Sequence, residues 1–311
     1  MASWKHGILK NFLNVLSMPM YWRLPPVDHL RTMLETSTML ATLPWGVTFE
    51  KRHFDDFYAE CLKPPRIIYG KALLYFHGGG YVIGSPHTHR ALAGKIARGT
   101  SLQTLVIDYR KAPENPFPAA LDDAYSAYTF LLNQGLDGRD IVIAGDSAGG
   151  GLSLALQLKA RDHGLPLPLC TVLLSPYVDL TGTGDSLRQN AKNDRFLDVF
   201  EMRRWAEWYA GEEDLMSPYL SPLYGNLTGL PPMLVQASES EVLYDDSVRL
   251  VRKAEQSGIE VVFQTWKGLI HWWHMFGTMP EAREAIGKVV DFINDKIVVT
   301  TSREQKSQLS I

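Results

Sequence analysis

The sequence predicts an α/β fold in which a mostly parallel central sheet carries helices on both faces. The first observation behind this prediction is that short apolar, strand-like runs alternate with segments of helical periodicity, as in strand–helix–strand units. The second is that runs such as Ala72–Phe76 and Ile141–Ala144 are apolar throughout, as expected of strands covered on both faces. Because a helix between two strands returns the chain to the same end of the sheet, this order indicates parallel strands.

The elements can be followed along the chain from these two patterns. Strands are predicted at 47–49, 57–60, 72–76, 105–109, 141–144, 171–175, 232–237 and 259–266. Helices are predicted near 27–40, from 84 to 97, and at 119–132, 152–158, 198–210, 241–257 and 281–295. Their ends carry the expected residues, since Pro44 stops the first of these helices, Asp198 can cap an N-terminus and Gly211 can end the same helix.

Two segments stand apart from the strand–helix rhythm. Residues 1–43 read as two helices whose apolar faces need a partner, and residues 179–216 are polar and then helical. We expect both segments to form a helical cap, the alternative for the second being an ordinary peripheral helix. Residues 44–178 and 217–299 then form the two parts of the α/β domain, and the polar residues 300–311 form a frayed tail.

Composition excludes several classes of protein. The 311 residues are 45% apolar and 21% charged, which is ordinary for a globular enzyme with a large core. The net charge of −3 leaves no basic face for nucleic acid, and no run approaches the length of a membrane span. We therefore expect neither nucleic acid nor membrane as a partner.

The N-terminus and the cysteines indicate the compartment. Lys10, Asn11 and Asn14 interrupt the apolar residues near the start, so we expect an amphipathic helix there rather than a signal peptide. Cys61 and Cys170 both lie in apolar surroundings and are interpreted as buried free thiols, which favours a reducing compartment. The prediction is a cytoplasmic protein.

A Gly-x-Ser-x-Gly pattern, formed by Gly145, Ser147 and Gly149, stands where an apolar strand gives way to a helical pattern. A sharp turn of this kind strains the serine backbone and exposes its hydroxyl above the sheet. The two glycines allow strand and helix to approach closely, and the helix N-terminus favours an anion beside Ser147. The alternative is a small-residue turn that merely contains a serine. We favour a nucleophile.

Three consecutive glycines follow another buried strand, at Gly78, Gly79 and Gly80 directly after His77. Ordering three glycines costs more conformational entropy than ordering other residues, so a flexible loop would be the simple interpretation. Combined with the serine turn, the pattern instead indicates that bare backbone N–H groups face an oxyanion. We expect His77 to hold this loop.

A serine nucleophile needs a base, and a base needs a carboxylate that orients it. His271 is in the loop after the last strand, at the carboxyl edge of the sheet, and His274 is the alternative. Four carboxylates follow the strand at 232–237, and of these we favour Glu241; the other three are Glu239, Asp245 and Asp246. Asp245 and Asp246 are already within the helix and are interpreted as solvated or capping charges. The order serine, acid, histidine is that of the α/β-hydrolases.

These motifs together resemble the hormone-sensitive-lipase family of bacterial-type carboxylesterases, which has the α/β-hydrolase fold. The stretches that match are His77–Gly80, Tyr109–Ala124, Gly145–Gly150 and Gly268–His271. The resemblance implies Ser147 as nucleophile and His271 as general base, and it supports the helical cap. It also implies an oxyanion hole made by the N–H groups of Gly79, Gly80 and Ala148.

The chain departs from this family at the acid. The family usually has Asp-Pro-Leu there, whereas the matching positions are Glu241, Val242 and Leu243. Glutamate offers the same carboxylate on a longer stem. The predicted reaction is hydrolysis of an ester through an acyl-enzyme, which needs no metal or organic cofactor. The alternatives are an amidase or deacetylase with the same triad, and a receptor that binds a small ligand without catalysis.

Aromatic residues around the predicted site suggest a substrate of limited size. Trp272 directly follows His271, and Tyr81, Trp205 and Trp208 are predicted to line the pocket with it. Such bulk favours short acyl chains, the alternative being that these rings pack the cap. The last strand, at 260–266, is rich in valine and phenylalanine and is expected at an open sheet edge. We therefore predict a homodimer through this strand.

Overall fold

The computed structural model describes residues 25–39, 41–194 and 197–308. The first predicted helix, within residues 1–24, lies outside this part of the chain. In the described part, one sheet of eight strands runs through the molecule. The strands are β1 Thr48–His53, β2 Tyr58–Lys63, β3 Ala72–Phe76, β4 Gln103–Asp108, β5 Ile141–Asp146, β6 Cys170–Leu174, β7 Met233–Ser238 and β8 Val261–Trp266.

The order of the strands across the sheet positions the site. The order across the sheet is β1-β2-β4-β3-β5-β6-β7-β8. Strand β2 is antiparallel to both of its neighbours, β1 and β4, and all the other neighbouring pairs are parallel. The predicted mostly parallel sheet is therefore confirmed. Because the chain goes from β3 to one side and then returns to place β5 on the other, β3 and β5 flank a switch point. Ligands of open α/β sheets bind beyond the carboxyl ends of the strands at such a point.

Helices cover both faces of the sheet. The described helices are α1 Val27–Thr38, α2 Pro86–Thr100, α3 Ala119–Asn133, α4 Ala148–Asp162, α5 Ser186–Gln189, α6 Val199–Ala210, α7 Tyr244–Gln256 and α8 Pro280–Gln308. Alternate residues of β3 divide between two cores. Leu73 and Tyr75 pack with residues of α2 and α8, whereas Leu74 and Phe76 pack with residues of α3 and α4.

The helix α8 is longer than predicted. It was expected to end at Asp295 and to be followed by a frayed tail from residue 300, but the backbone is helical as far as Gln308. The residues beyond Val299 include Arg303, Glu304, Gln305 and Lys306, which all have good helix propensity. These propensities account for the greater length of the helix, and the fraying of residues 300–311 stays a prediction. Residues 309–311 lie outside the described part.

The two predicted cap segments contact the α/β domain differently. Helix α6 of the insertion buries Met202, Ala206 and Tyr209 in the same core as α3 and α4. Helix α1 buries none of its side chains fully; Val27 packs partly against the same core, and polar contacts hold the rest of the helix. Arg31 donates to the carbonyl oxygens of Val82 and Ala112, over 2.9 Å in both cases. Among the described helices, none combines the length and the apolar composition that crossing a membrane would need.

Candidate active site

The predicted nucleophile lies in the turn between β5 and α4, and its backbone is strained. Ser147 has φ 52° and ψ −122°, a conformation that residues with a side chain rarely adopt. The turn is over-determined by hydrogen bonds, since the Ser147 N–H donates to Leu174 O over 2.9 Å and the Ser147 carbonyl accepts the N–H of Tyr177 over 2.9 Å. The local structure is the sharp strand-to-helix turn that the sequence predicted.

Gly145 and Gly149 are required by the closeness of the neighbouring backbone. A Cβ atom on Gly145 would overlap the carbonyl of Gly149, and one on Gly149 would overlap the carbonyl of Phe76. The strand, the turn and the helix therefore approach one another more closely than any other residue would allow. The structure therefore has the close approach of strand and helix that the Gly-x-Ser-x-Gly pattern predicted.

The glycine loop after β3 adopts backbone angles that favour glycine. Gly79 has φ 120° and Gly80 has φ 61°, and the Gly79 carbonyl accepts the N–H groups of Val82 and Ile83 over 3.0 and 2.9 Å. Ala148 is the first residue of α4, where backbone N–H groups have no acceptor within the helix. These are the three residues predicted to supply the oxyanion donors.

His77 supports this loop from beneath rather than serving as a base. Its ring is fully buried and stacks on Tyr109 with 4.2 Å between centroids, and the Tyr109 hydroxyl donates to the His77 carbonyl over 2.8 Å. Burial lowers the pKa of His77 well below its ordinary value, so the ring stays neutral.

Glu241 and His271 form a fully buried pair. His271 Nδ1 lies 2.8 Å from Glu241 Oε2, and both side chains are 0% exposed. Burial alone would lower the pKa of His271, but the hydrogen bond and the negative charge of Glu241 outweigh it and raise that pKa. His271 Nε2 makes no hydrogen bond to another described residue, so it is the nitrogen left for proton transfer.

The other oxygen of Glu241 is bound as well. Glu241 Oε1 accepts the Ser175 hydroxyl and the backbone N–H of Ser238, each over 2.8 Å. Two donors on one oxygen fix the carboxylate, so that its second oxygen faces the imidazole. The longer stem of glutamate is thus accommodated while its carboxylate keeps the contact with His271 Nδ1.

The competing acids and the competing base have other partners. Asp245 Oδ2 accepts the Ser186 N–H over 2.8 Å, and Asp246 Oδ2 accepts the N–H groups of Val178 and Asp179 over 2.9 and 3.0 Å. The interpretation of Asp246 as a solvated or capping charge is wrong, because the side chain is buried, which raises its pKa to about 8. The ring of His274 lies against Gln236 and is buried, and this burial lowers the pKa of His274 to about 3.

A further carboxylate, Asp194, comes from the insertion and lies beside the Glu241–His271 pair. Its Oδ1 accepts the backbone N–H of His271 over 3.1 Å, and its Oδ2 accepts that of Val242 over 3.2 Å. Burial raises the pKa of Asp194 to about 6, a shift that the positive charge on His271 opposes. The sequence did not predict Asp194, because this residue binds backbone atoms and belongs to no motif. Only its carboxylate and its place in the predicted cap could have pointed to it.

Asp194, Glu241 and His271 also offer one oxygen or nitrogen each within 4.8 Å of one another, a spacing that could suit a cation. These groups already bond to one another and to backbone N–H groups. We therefore assign the cluster to the predicted acid and base and to the carboxylate that supports them.

The four predicted pocket residues differ in position. The ring of Trp205 packs on the glycine loop, because a Cβ atom on Gly80 would lie 2.5 Å from Trp205 Cε3. Tyr81 is 1% exposed and stacks on Tyr209 with 3.8 Å between centroids. Trp208 is half-buried and carries the guanidinium of Arg204 on its ring at 4.7 Å. Of these three, Trp205 is the ring seen to touch the predicted site.

Trp272 is not an open wall of the site. Its side chain is 6% exposed, and its indole N–H donates to Asp146 Oδ2 over 2.7 Å. The prediction of Trp272 as a pocket residue rested on its bulk and on its position after His271. The polar end of the indole instead turns inward, to the residue that precedes Ser147.

An open groove of about 570 Å³ lies elsewhere on the surface, along Phe54–Tyr58 and Asp108–Lys111. Its cations have anionic partners, for example Arg110 with Asp123 at 2.7 Å and Lys111 with Asp108 at 2.5 Å. Since Ser147, Glu241 and His271 are not among its lining residues, we do not assign substrate to it.

The comparisons with known proteins agree with this geometry. Residues 73–275 match a family described as having the α/β-hydrolase fold. The crystal structure of an esterase from the bacterial hormone-sensitive lipase family superposes with a TM-score of 0.90 at 35% identity, covering 96% of this chain and 99% of that one. The chain belongs to the α/β-hydrolases of the hormone-sensitive-lipase type.

Relatives with named activities agree with this assignment. The chain is 42% identical to an acetyl-hydrolase of Streptomyces hygroscopicus, over 73% of this chain and 76% of that protein. It is 40% identical to an esterase of Acinetobacter venetianus, over 71% of this chain and 73% of the relative. This member of the family is therefore a carboxylic ester hydrolase. The resemblance and the fold predicted from the sequence are both confirmed.

Proposed function

We propose that this esterase hydrolyses short-chain carboxylic esters through an acyl-enzyme on Ser147, with His271 as base and Glu241 as acid. The observation that carries the proposal is the buried contact of 2.8 Å between His271 Nδ1 and Glu241 Oε2. It fixes the imidazole tautomer and supports the imidazolium that forms when Nε2 accepts a proton.

In the first half of the reaction His271 Nε2 takes the proton of the Ser147 hydroxyl while Oγ attacks the ester carbonyl. The carbonyl oxygen becomes an oxyanion, which the N–H groups of Gly79, Gly80 and Ala148 stabilise. His271 then gives its proton to the leaving alcohol, and the acyl group remains on Ser147. In the second half a water molecule loses a proton to His271 and its oxygen attacks the acyl carbon. The bond from the acyl carbon to Ser147 Oγ then breaks, His271 returns the proton to Oγ, and the carboxylic acid is released.

Preorganised donors explain why the turn and the glycine loop keep strained backbone. Donors that already point at the position of the oxyanion need no reorganisation during the reaction, and one such donor is worth about 10²- to 10³-fold in rate. The first turn of α4 adds the partial positive charge of its N-terminus at the same place. The strained Ser147 backbone and the positive φ angles of Gly79 and Gly80 are consistent with this use.

The preference for short acyl chains is supported by the position of Trp205. Its ring packs on Gly80, next to the proposed oxyanion donors, and so takes up space that an acyl chain would need. An ethyl acetate hydrolase of Pseudomonas putida is 32% identical, over 76% of this chain and 77% of that protein. We propose that acyl chains of about six carbons or fewer fit this site.

The experiment compares turnover of p-nitrophenyl esters from acetate to decanoate by the parent and by Ser147→Ala. Fast turnover that peaks at butyrate or shorter and falls by about 10⁶-fold in the variant is the expected result. Equal turnover in both proteins would contradict the role of Ser147. A peak at decanoate would contradict the short-chain preference alone.

The variant Trp205→Ala tests the pocket separately. We expect its preference to move toward longer esters, because the ring above Gly80 is removed. Trp208→Ala is the matched control, since the Trp208 ring packs against the guanidinium of Arg204 and not against Gly80. An unchanged chain-length profile in Trp205→Ala would show that another group limits the substrate.

A further inference from the structure

A buried hydrogen bond joins the residue before the proposed nucleophile to the residue after the proposed base. The indole N–H of Trp272 donates to Asp146 Oδ2 over 2.7 Å. Asp146 directly precedes Ser147, and Trp272 directly follows His271. Asp146 is 2% exposed and Trp272 is 6% exposed, so water does not compete for this bond.

The glycine loop contacts this bond at its first glycine, Gly78. A Cβ atom on Gly78 would overlap Asp146 Oδ2 and would lie 2.7 Å from Trp272 Nε1. Gly78 therefore packs directly on the two bonded groups. The serine turn, the histidine loop and the glycine loop all touch at one point.

Asp146 is itself held from the sheet and from α2. Its Oδ1 accepts the Tyr75 hydroxyl over 2.7 Å, and its Oδ2 lies 3.3 Å from His89 Nε2. Tyr75 belongs to the central strand β3, and both Tyr75 and His89 are 0% exposed. These contacts fix the carboxylate of Asp146. The indole N–H of Trp272 then joins the histidine loop to this fixed carboxylate.

The backbone of Trp272 needs such a contact. Trp272 has φ 64°, in the left-handed region that bulky residues seldom occupy. Strain of this kind persists where the surroundings over-determine the conformation. The indole also lies edge-on to His89, with 5.3 Å between ring centroids.

We propose that Trp272 is a positioning residue, whose hydrogen bond to Asp146 sets the placement of His271 relative to Ser147 and the glycine loop. This inference rests on the proposed roles of Ser147 and His271. It replaces the expectation that Trp272 lines the pocket. Because the bond touches the three loops rather than the substrate, its loss reduces kcat and leaves KM nearly unchanged.

The test compares two adjacent tryptophans that are both buried. Trp272→Phe keeps a ring and removes the N–H donor. Trp273→Phe makes the same chemical change one residue further on, where Nε1 has no hydrogen-bond partner among the described residues. We expect Trp272→Phe to lower kcat about ten-fold or more, since small misplacements of reacting groups cost up to about 10²-fold, with KM unchanged. Trp273→Phe should retain the parent kcat.

A third variant separates positioning from stability. Tyr75→Phe removes the donor to the other oxygen of the same carboxylate but leaves the histidine loop attached. We expect its Tm to fall and its kcat to fall less than that of Trp272→Phe, because the indole of Trp272 and the ring of His89 still hold Asp146 Oδ2. All rates are measured well below the Tm of the least stable variant, with circular dichroism to verify folding. A parent-like kcat in Trp272→Phe, or an equal loss of kcat in Tyr75→Phe, would overturn the proposal.

A double-mutant cycle gives an independent readout. Asp146→Ala removes the acceptor and Trp272→Phe removes the donor of the same bond, so their effects on kcat should be strongly non-additive. Additive effects would overturn the proposal. Failure of the proposed function is distinguishable, because it would appear as unchanged turnover in Ser147→Ala.

Discussion

Asp194 Oδ1 accepts the backbone N–H of His271 over 3.1 Å, so a carboxylate of the insertion holds the backbone of the proposed base. The other oxygen of the same carboxylate holds the residue after Glu241, at 3.2 Å. One side chain from the predicted cap thereby links the loops of the acid and the base.

We expect Asp194→Asn to lower kcat about ten-fold. The amide keeps one acceptor oxygen but turns an NH₂ group toward the other backbone N–H, so one of the two loops loses its support. Kinetics on p-nitrophenyl butyrate measure the effect. Asp198→Asn is the control, because Asp198 caps α6 of the same insertion and asparagine caps equally well. A kcat in Asp194→Asn equal to that of the control would refute this role.

Glu241→Gln should lower kcat by about 10⁴-fold, since an amide can no longer hold the correct tautomer or stabilise the imidazolium. Asp245→Asn should cost little, because its oxygen accepts the Ser186 N–H and does not reach His271. Single-turnover and steady-state rates of the two variants provide the comparison. The reverse pattern would transfer the role of acid to Asp245.

The acid limb of kcat/KM should have its midpoint above 6.5, the ordinary value for histidine. Burial lowers the pKa of His271, but Glu241 raises it more, with smaller contributions from Asp194 and Asp146. Catalysis requires neutral His271, so activity rises with pH through this raised pKa. The same shift stabilises the folded state at low pH, and that contribution is lost as pH rises through the folded pKa.

A pH–rate profile of kcat/KM measures this midpoint. In Glu241→Gln the limb should move to lower pH, because the largest contribution that raises the pKa is gone. A parent limb at or below 6.5, or a limb that Glu241→Gln does not move, would contradict the coupling.

We propose that the esterase forms a homodimer through β8. The sheet has two edge strands: β1 carries Glu50, Lys51 and Arg52, whereas β8 carries Val261, Val262 and Phe263. Charged side chains protect an edge from pairing, and apolar ones invite it. Light scattering at micromolar concentration should give the mass of a dimer.

Matched variants locate the interface. Thr265→Lys introduces a charge at the exposed position of β8, and Thr48→Lys does the same on β1. The first should weaken the dimer and the second should not. A monomeric mass for the parent protein would refute the proposal.

Local pattern was sufficient to predict most of the fold. The strands from β3 to β8 are short apolar runs, and the helix at Val199–Ala210 begins at Asp198 and ends before Gly211, as their cap preferences indicate. Ser147 and the glycines around it could be predicted because a sharp turn admits few residue types. The same holds for the glycine loop, where backbone angles exclude side chains.

What the sequence did not reveal depends on contacts between distant residues. Ser175 binds Glu241 across 66 positions of the chain. Asp194 binds the backbone of His271 across 77 positions. A serine after a strand and a carboxylate in a polar insertion are common, so neither type signals such a role. Trp272 was noticed for its bulk, whereas its hydrogen bond to Asp146 spans 126 positions.

The packing of Trp205 on Gly80 has a consequence for efforts to broaden the substrate range. The ring that we propose limits the acyl chain also packs against a proposed oxyanion donor, Gly80. A library that replaces Trp205 with smaller residues therefore selects for two properties at once, because each gain in space also loosens the loop beneath. Variants that accept larger esters should turn over slowly until a second substitution stiffens that loop. A wider substrate range and a high rate therefore require two substitutions together.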